Sequence, residues 1–420
     1  MEKKPKPNDH PKTKERFFWD KTFLALRYPN YRLWFWGQII SLFGSWMQTT
    51  AQGFFIYELT HSPAYLGYVG FAAGLPTWLF MLYAGVIADR IPRRRILIVT
   101  QSTMMILAFI LATLTFLKIV RPWHILILAF GMGTANAFDA PARQAFVREM
   151  VDPDVLTNAI ALNSAMFNTA IALGPAAGGM IYAALGPGWC FTINGLTFIA
   201  VISALFAMEL KEIKSTHNKN SPFEDLKRGI KYTFNHPQIR LLIMTIAIIA
   251  LFGTSYTTLL PAWAVKVLQG DARTNGFLQT ARGLGALTSA LFIASLGVFH
   301  FRGKLLTLGT FLFPLFILLF ALNTNFLIAL VFLYFAGIGQ ILIMNLANSL
   351  VQTQVVEEMR GRVMGIYTFV FFGLMPLGAL WIGTAAQLWG LKNALIIASS
   401  ITLGYAFLIY LQGRPLWQLK

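Results

Sequence analysis

Asp139 and Arg143 stand four residues apart in an otherwise small and apolar run, NAFDAPARQAF. That spacing puts opposite charges on one helical face, even with Pro141 between them. A lone carboxylate in hydrocarbon is costly, so a pair is expected there, and a charge within a membrane span is by default a functional hypothesis. The pair is therefore either a proton-coupling site, with Asp139 as its first candidate, or a fixed ion pair near one mouth of the protein. Glu58, at the end of the first apolar run, is a partner for a cation or a second proton site. Arg282 lies well inside another apolar run. An arginine there either faces a water-filled cavity, where it would attract an anionic or polar substrate, or snorkels to the surface along its own aliphatic stem.

Uncharged polar residues follow a pattern too. Gln38, Ser41, Ser45, Gln48 and Gln52 recur at intervals of three and four, so they form one stripe on one helical face. Hydrocarbon cannot hydrogen-bond such a stripe. It lines a cavity, with Thr254, Tyr256 and Thr257 contributing from another run, or it makes polar contacts between packed helices. Trp46, Trp78, Trp263 and Trp381 are available to stack on an aromatic substrate or to anchor the chain at the membrane interface.

Apolar stretches of spanning length must position these residues. Of 420 residues 56% are hydrophobic and 12% charged, against about 25% charged in a soluble domain, so most of the surface must face lipid. Spans are expected at 33–57, 65–88, 95–117, 123–147, 156–185, 188–209, 238–265, 275–298, 305–322, 326–350, 361–386 and 390–411. The fold class expected is an all-α integral membrane protein with twelve transmembrane helices in two six-helix halves, 33–209 and 238–411. Residues 1–32 and 412–420 are expected as cytoplasmic tails, and the polar N-terminus shows no small-residue cleavage site of a signal peptide. The formal net charge is +17. With the N-terminus inside, 28 of the 34 Lys and Arg fall on the inner side or at its edge, which is the positive-inside pattern and assigns the basic excess to lipid, not to nucleic acid.

The connection 210–237 contains Ser221-Pro222-Phe223-Glu224, a helix start with a capping box. Phe223, Leu226, Ile230 and Phe234 then recur opposite Lys227, Arg228 and Lys231, which predicts either an amphipathic helix on the inner membrane surface or a solvated linker helix. The halves read as copies offset by 209 residues: Arg93 matches Arg302, Asn136 matches Asn345, and Glu149-Met150 matches Glu358-Met359. Two parallel repeats facing each other across a cavity form an alternating-access architecture.

Two motifs carry a family resemblance. Gly85-Val-Ile-Ala-Asp89-Arg90-Ile-Pro92-Arg93-Arg94-Arg95 resembles the signature loop of the major facilitator superfamily. The resemblance implies that Gly85, Asp89, Arg90, Arg93, Arg94 and Arg95 hold an inner gate through breakable ion pairs, with Arg302, Arg360 and Arg362 grouped beside them. The run Ala170-Ile-Ala-Leu-Gly174-Pro175-Ala-Ala-Gly178-Gly179 resembles the antiporter motif of exporters in that superfamily, departing from the fuller form at Ala170. The fourth span has no arginine at Ala129 to Gly133, where antiporters often carry one. Stretches such as NYRLWFWGQIISLFGSWMQTTAQ, NAFDAPARQAFVREMV and RGRVMGIYTFVFFGLMPLGAL are similar to the enterobactin-exporter and macrolide-efflux branch of drug:proton antiporters, also described as transmembrane secretion effectors, over about residues 23–410.

No enzyme is expected. Gly297 to Lys304 misses the phosphate-loop spacing and has Leu305 where Ser or Thr is required, so no nucleotide-hydrolysing site is visible. The single cysteine, Cys190, and six scattered histidines offer no metal cluster, and no cofactor is expected. The reading is a monomeric, proton-coupled secondary transporter of the bacterial inner membrane, exporting a bulky amphiphilic small molecule such as a siderophore, a macrolide or another drug. The alternatives are a lysophospholipid or nutrient transporter on the same fold, or a non-transporting membrane sensor.

Overall fold

The computed structural model describes residues 22–209, 222–297 and 299–411, and its regular elements are helices. A single 3-10 turn, Leu24–Arg27, leads into α1 (Pro29–Thr60), followed by α2 (Pro63–Arg90), α3 (Arg93–Phe116), α4 (Pro122–Phe146), α5 (Leu156–Leu185) and α6 (Pro187–Ala207). After the connection come α7 (Pro222–Asn235), α8 (Pro237–Ile248), α9 (Tyr256–Lys266), α10 (Ala272–Ser295), α11 (Arg302–Leu322), α12 (Phe326–Gln354), α13 (Glu357–Trp389) and α14 (Leu391–Leu411). Proline opens α1, α2, α4, α6, α7 and α8, where its missing N–H costs nothing and its fixed φ suits the first turn. Asp271 caps α10 by accepting from the Arg273 and Thr274 amides, and Asn325 caps α12 in the same way.

Nine helical segments among the described residues are long and apolar enough to cross a membrane. Helices α1, α2 and α10 have 32, 28 and 24 residues, ample for a crossing, but fall outside that set. In α1 and α10 the glutamines, asparagine and arginine dilute the apolar composition. The seventh expected span is not one helix. It bends through a π turn at Ile249–Gly253 between α8 and α9, a kind of defect that locally re-aims the following side chains. Gly253 packs against the Phe313 ring there.

The two sets of helices repeat their packing. In the first set α2 packs on α4 and α3 on α6; in the second α10 packs on α12 and α11 on α14. The sets meet along two seams, α5 with α10 and α2 with α13. Both seams bring backbone to backbone. A methyl group on Gly67 would lie 2.6 Å from the Ala379 carbonyl oxygen, and one on Gly179 would lie 2.5 Å from that of Ala272. Small residues allow such approach, and in lipid close packing takes the place of the hydrophobic effect between helices.

Each seam ends partway along its helices. The face of α5 that carries Ala172 and Gly179 continues at helical spacing through Ala165 and Ala161, and both are exposed. On α13 the face carrying Gly383, Ala379 and Pro376 continues to Gly365, which has open space around it. The sets therefore join at the end bearing Ser62 and Gln387 and diverge towards the basic end bearing Arg93 and Arg302.

Helix α7 packs on α13 at that basic end. Gly229 is buried against Arg362 and Ile366, while Lys227, Arg228, Ile230, Lys231 and Phe234 are exposed. One face thus grips α13, and Ile230 with Phe234 remains uncovered beside the lysines, as an interfacial helix requires. Ser221 and the side chains of Phe223, Glu224 and Leu226 lie outside the described residues.

The seam predicts a cross-link. Ser62 Oγ donates to Gln387 Oε1 at 2.8 Å across the joined end, and the native Cys190 is fully buried and will not compete. A S62C/Q387C variant carrying a protease site among residues 210–221 is expected to stay one band after cleavage and mild oxidation, and to separate on reduction. Two bands under non-reducing conditions would contradict this packing.

Candidate functional site

Helix α4 reaches the basic end carrying Asp139, which is 2% exposed. Its Oδ1 accepts from Thr100 Oγ1 at 3.0 Å and Gln101 Nε2 at 2.8 Å, both on α3, and its Oδ2 lies 3.3 Å from Arg143 Nε. Both oxygens are thus occupied by donors. The two hydrogen bonds from Thr100 and Gln101 tie α3 to α4. Asp139 and Arg143 thus meet on one helical face, as their spacing predicts. Thr100 and Gln101 were not singled out in the sequence, although adjacent polar residues in an apolar run were the available signal.

Glu58 differs. It lies at the joined end, exposed, and accepts a hydrogen bond from the Tyr182 hydroxyl of α5. No cation pairs with it among the described residues. Tyr182 itself is buried beside Phe54.

The arginines of the signature-like loop and their counterparts in the second set occupy the basic end. Arg93 forms an ion pair with Glu149 beyond the end of α4, and Arg94 Nη2 donates to the Phe206 carbonyl at 3.0 Å; Arg90 and Arg95 are exposed. The surroundings of Gly85 and the side chain of Asp89 lie outside what the structure describes. In the second set Arg302 does not repeat the pairing. It donates to Ser349 Oγ at 3.3 Å and lies over the Phe299 ring, while Glu358, the counterpart of Glu149, is exposed. Arg360 is exposed, and Arg362 Nη1 lies 3.3 Å from the Met359 sulfur on its own helix.

The antiporter-like run serves two neighbours at once. Gly174 and Gly178 face Trp46 and Met47 of α1, Gly179 faces Ala272 and Gly276 of α10, and the Pro175 carbonyl lies against Gly276. Within one turn the run packs α5 on its own set and on the opposite one.

The stripe on α1 is corrected by its packing. Gln38, Ser41 and Gln48 are buried, and Gln48 Oε1 accepts from Asn194 Nδ2 of α6 at 2.7 Å. Ser45 is half-buried and donates back to the Ser41 carbonyl, and Gln52 is half-buried. Gly37 and Gly44 bring α6 against this side of the helix: a methyl group on Gly44 would lie 2.3 Å from Thr197 Oγ1. The face that reads as cavity lining is thus largely a helix contact, and those two glycines were the overlooked signal. Of the tryptophans, Trp78 donates to the Gly373 carbonyl across the α2–α13 seam at 2.6 Å, and Trp263 is buried.

Tyr256 and Arg282 come together. Tyr256 lies ten residues before the end of α9 and Arg282 ten after the start of α10, so two consecutive helices running in opposite directions carry them at matching depth. Tyr256 is fully buried with no partner for its hydroxyl, and Arg282 Nε is buried and unpartnered.

The comparisons with known proteins agree with this geometry. Residues 21–418 match the transmembrane secretion effector family of the major facilitator superfamily. Among relatives, the staphyloferrin A transporter of Staphylococcus aureus is 26% identical over 89% of this chain and 94% of its own. The enterobactin exporter of Shigella flexneri is 26% identical over 82% of each chain, and macrolide efflux protein A of Streptococcus pyogenes is 20% identical over 89% and 95%. Two solved structures share the fold: a nucleoside transporter (TM-score 0.71, 12% identity, 93% of this chain and 99% of that one) and an inward-facing, occupied bacterial homologue of the human lysosomal transporter Spinster (TM-score 0.71, 14%, 92% and 97%). A multi-pass helical bundle joined at one end by two small-residue seams, matched along nearly its whole length, is a membrane transporter and not an enzyme: the chain belongs to the transmembrane secretion effector family.

Proposed function

We propose that this chain is a proton-coupled exporter of a bulky amphiphilic small molecule, a siderophore or a macrolide-like compound, in the bacterial inner membrane. The observation that carries the reading is the pair of seams that join the two sets of helices at one end and leave the same helical faces exposed at the other. An interior open to one side only is what alternating access needs in each of its two states. The relatives named for staphyloferrin A, enterobactin and macrolides support this choice of substrate class. All twelve long helices, counting α8 and α9 as one and α7 as none, cross the bilayer as two six-helix halves, 33–209 and 238–411, working as a monomer. The basic end is cytoplasmic with both termini, so the conformation described here faces inward.

Proton exchange belongs to Glu58 in this reading. Asp139 already has a cation and two donors on its oxygens, as a pair that ties α3 to α4 would. Glu58 has one phenolic donor and reaches the surface at the outer end, where protons enter in an export cycle. Arg93, Arg94 and Arg302 hold the inner gate, and the glycines Gly174, Gly178 and Gly179 are the bearing surface on which α5 moves.

Inside-out vesicles energised by respiration are expected to accumulate a radiolabelled siderophore or macrolide, and a protonophore abolishes the accumulation. Glu58→Gln loses gradient-driven accumulation while retaining exchange of labelled for unlabelled cargo. Accumulation indifferent to the proton gradient overturns the reading. Asp139→Asn, in contrast, is expected to keep coupling and lose stability, by about 3 kcal/mol or more, because it leaves Arg143 without its buried partner. The check is an unfolding midpoint in detergent, with D139N/R143Q recovering part of the loss; unchanged stability contradicts the fixed-pair role.

A further inference from the structure

One face of α10 carries polar atoms that the protein leaves unsatisfied. Asn275, Arg282 and Ser289 recur at intervals of seven, so they share a face. Asn275 and Ser289 are at most 1% exposed, and Asn275 Nδ2, Arg282 Nε and Ser289 Oγ all lack a partner. The Tyr256 hydroxyl adds a fourth such atom at the depth of Arg282. Each of these four groups can donate a hydrogen bond.

Arg282 does not face lipid. Phe277, Leu284, Thr288 and Leu291 form the exposed face of α10, and at about 100° per residue Arg282 lies roughly 150° round the helix from the middle of that face. Gly283 presses α10 against Ala172 of α5, and Gly337 presses α12 against the Arg282 backbone carbonyl. With those two sides closed by backbone contact, the guanidinium is left between them, towards the bundle interior. Its Nε is buried and the residue as a whole is half-buried.

No carboxylate of the same half can neutralise it. Residues 238–411 contain only Asp271, Glu357 and Glu358 as acids; Asp271 caps the start of α10, and the two glutamates open α13 at the basic end. An arginine in a membrane interior persists when it meets a counter-charge or water. Its planar fork suits a carboxylate or phosphate held by two parallel hydrogen bonds.

We propose that Arg282 is an anion-binding residue of the passage and that the transported molecule is a carboxylate-bearing anion, whose charge it neutralises inside the membrane. Tyr256 is the neighbouring donor, and Asn275 and Ser289 extend the donor face along α10. This rests on the transport reading and narrows its substrate class. The same fork would accept the phosphate of a lipid headgroup, so the test separates the two sources.

The probes are N-octanoylglutamate and its neutral dimethyl ester, which share one acyl chain and differ in charge. Binding is measured to the full-length protein in phosphatidylcholine nanodiscs with no gradient. The diacid is expected to bind about tenfold more tightly than the ester, the scale of one charge-assisted contact. Arg282→Gln removes that preference and leaves ester binding unchanged, which also shows the variant folded; Arg282→Lys keeps part of it. Equal binding of acid and ester, binding of neither, or a preference that survives Arg282→Gln overturns the proposal. So does diacid binding that weakens about tenfold when phosphatidylglycerol replaces phosphatidylcholine around the native protein but not around Arg282→Gln, which assigns the site to lipid and not to surface charge. Loss of proton coupling leaves the binding result standing, and a gradient-driven exporter that binds acid and ester alike fails only here.

Discussion

The contact on which the structure depends is backbone meeting backbone across α5–α10 and α2–α13. Between helices in lipid there is no hydrophobic gain from association, since the tails are as apolar as leucine. What remains is dispersion and polar contact at short range, and both require the helix axes to approach. Gly179 against Ala272 and Gly67 against Ala379 provide that approach. Because each seam runs along only part of its helices, tight contact at one end brings divergence at the other. The divergence is thus a consequence of where the backbone contacts stop. Below Ala172 the same face of α5 continues as Ala165 and Ala161, small residues that would admit equally close approach, so the exposed half of the seam is shaped for contact too.

The same cost of polar groups in lipid sorts the charges. Asp139 is answered by Arg143, Thr100 and Gln101, and Gln48 by Asn194. These groups hold neighbouring helices of one set together. Arg282, Tyr256, Asn275 and Ser289 retain unanswered atoms. An unpaired buried polar atom costs about 1–3 kcal/mol, so a face carrying several of them marks where the protein gives up stability. Such sites are where a partner from outside is expected to supply what the chain does not.

The long apolar helices and the small-residue run of α5 were legible because each rests on local chemistry: length or side-chain size. The α1 stripe was legible as a stripe but not by its neighbour. Helical spacing shows that Gln38 and Gln48 share a side, whereas Gly37 and Gly44 decide that α6 occupies it. The π turn before Tyr256 left little trace, and what packs on it, the Phe313 ring against Gly253, is a contact between distant segments. The repeat offset placed Arg302 and Glu358 opposite Arg93 and Glu149, yet only the first copy forms the ion pair. Homologous positions retain their places in the fold and differ in their partners.

How firmly the joined end is held follows from what crosses it. Ser62 donates to Gln387, Trp78 to the Gly373 carbonyl, and Thr50 to Gln279 at the longer distance of 3.5 Å. Hydrogen bonds between membrane helices average about 0.6 kcal/mol, so these three amount to roughly 2 kcal/mol. Shifting a two-state equilibrium from one part in a hundred to ninety-nine takes about 5.5 kcal/mol of differential binding. The polar part of the seam is therefore well within what one bound ligand can overcome. The remaining resistance is van der Waals contact along the glycine faces, and in the proposed alternating cycle it is recovered when a matching seam closes at the basic end. A bundle held in this way can exchange one closed end for the other at little net cost, because each closure replaces contacts of the same kind.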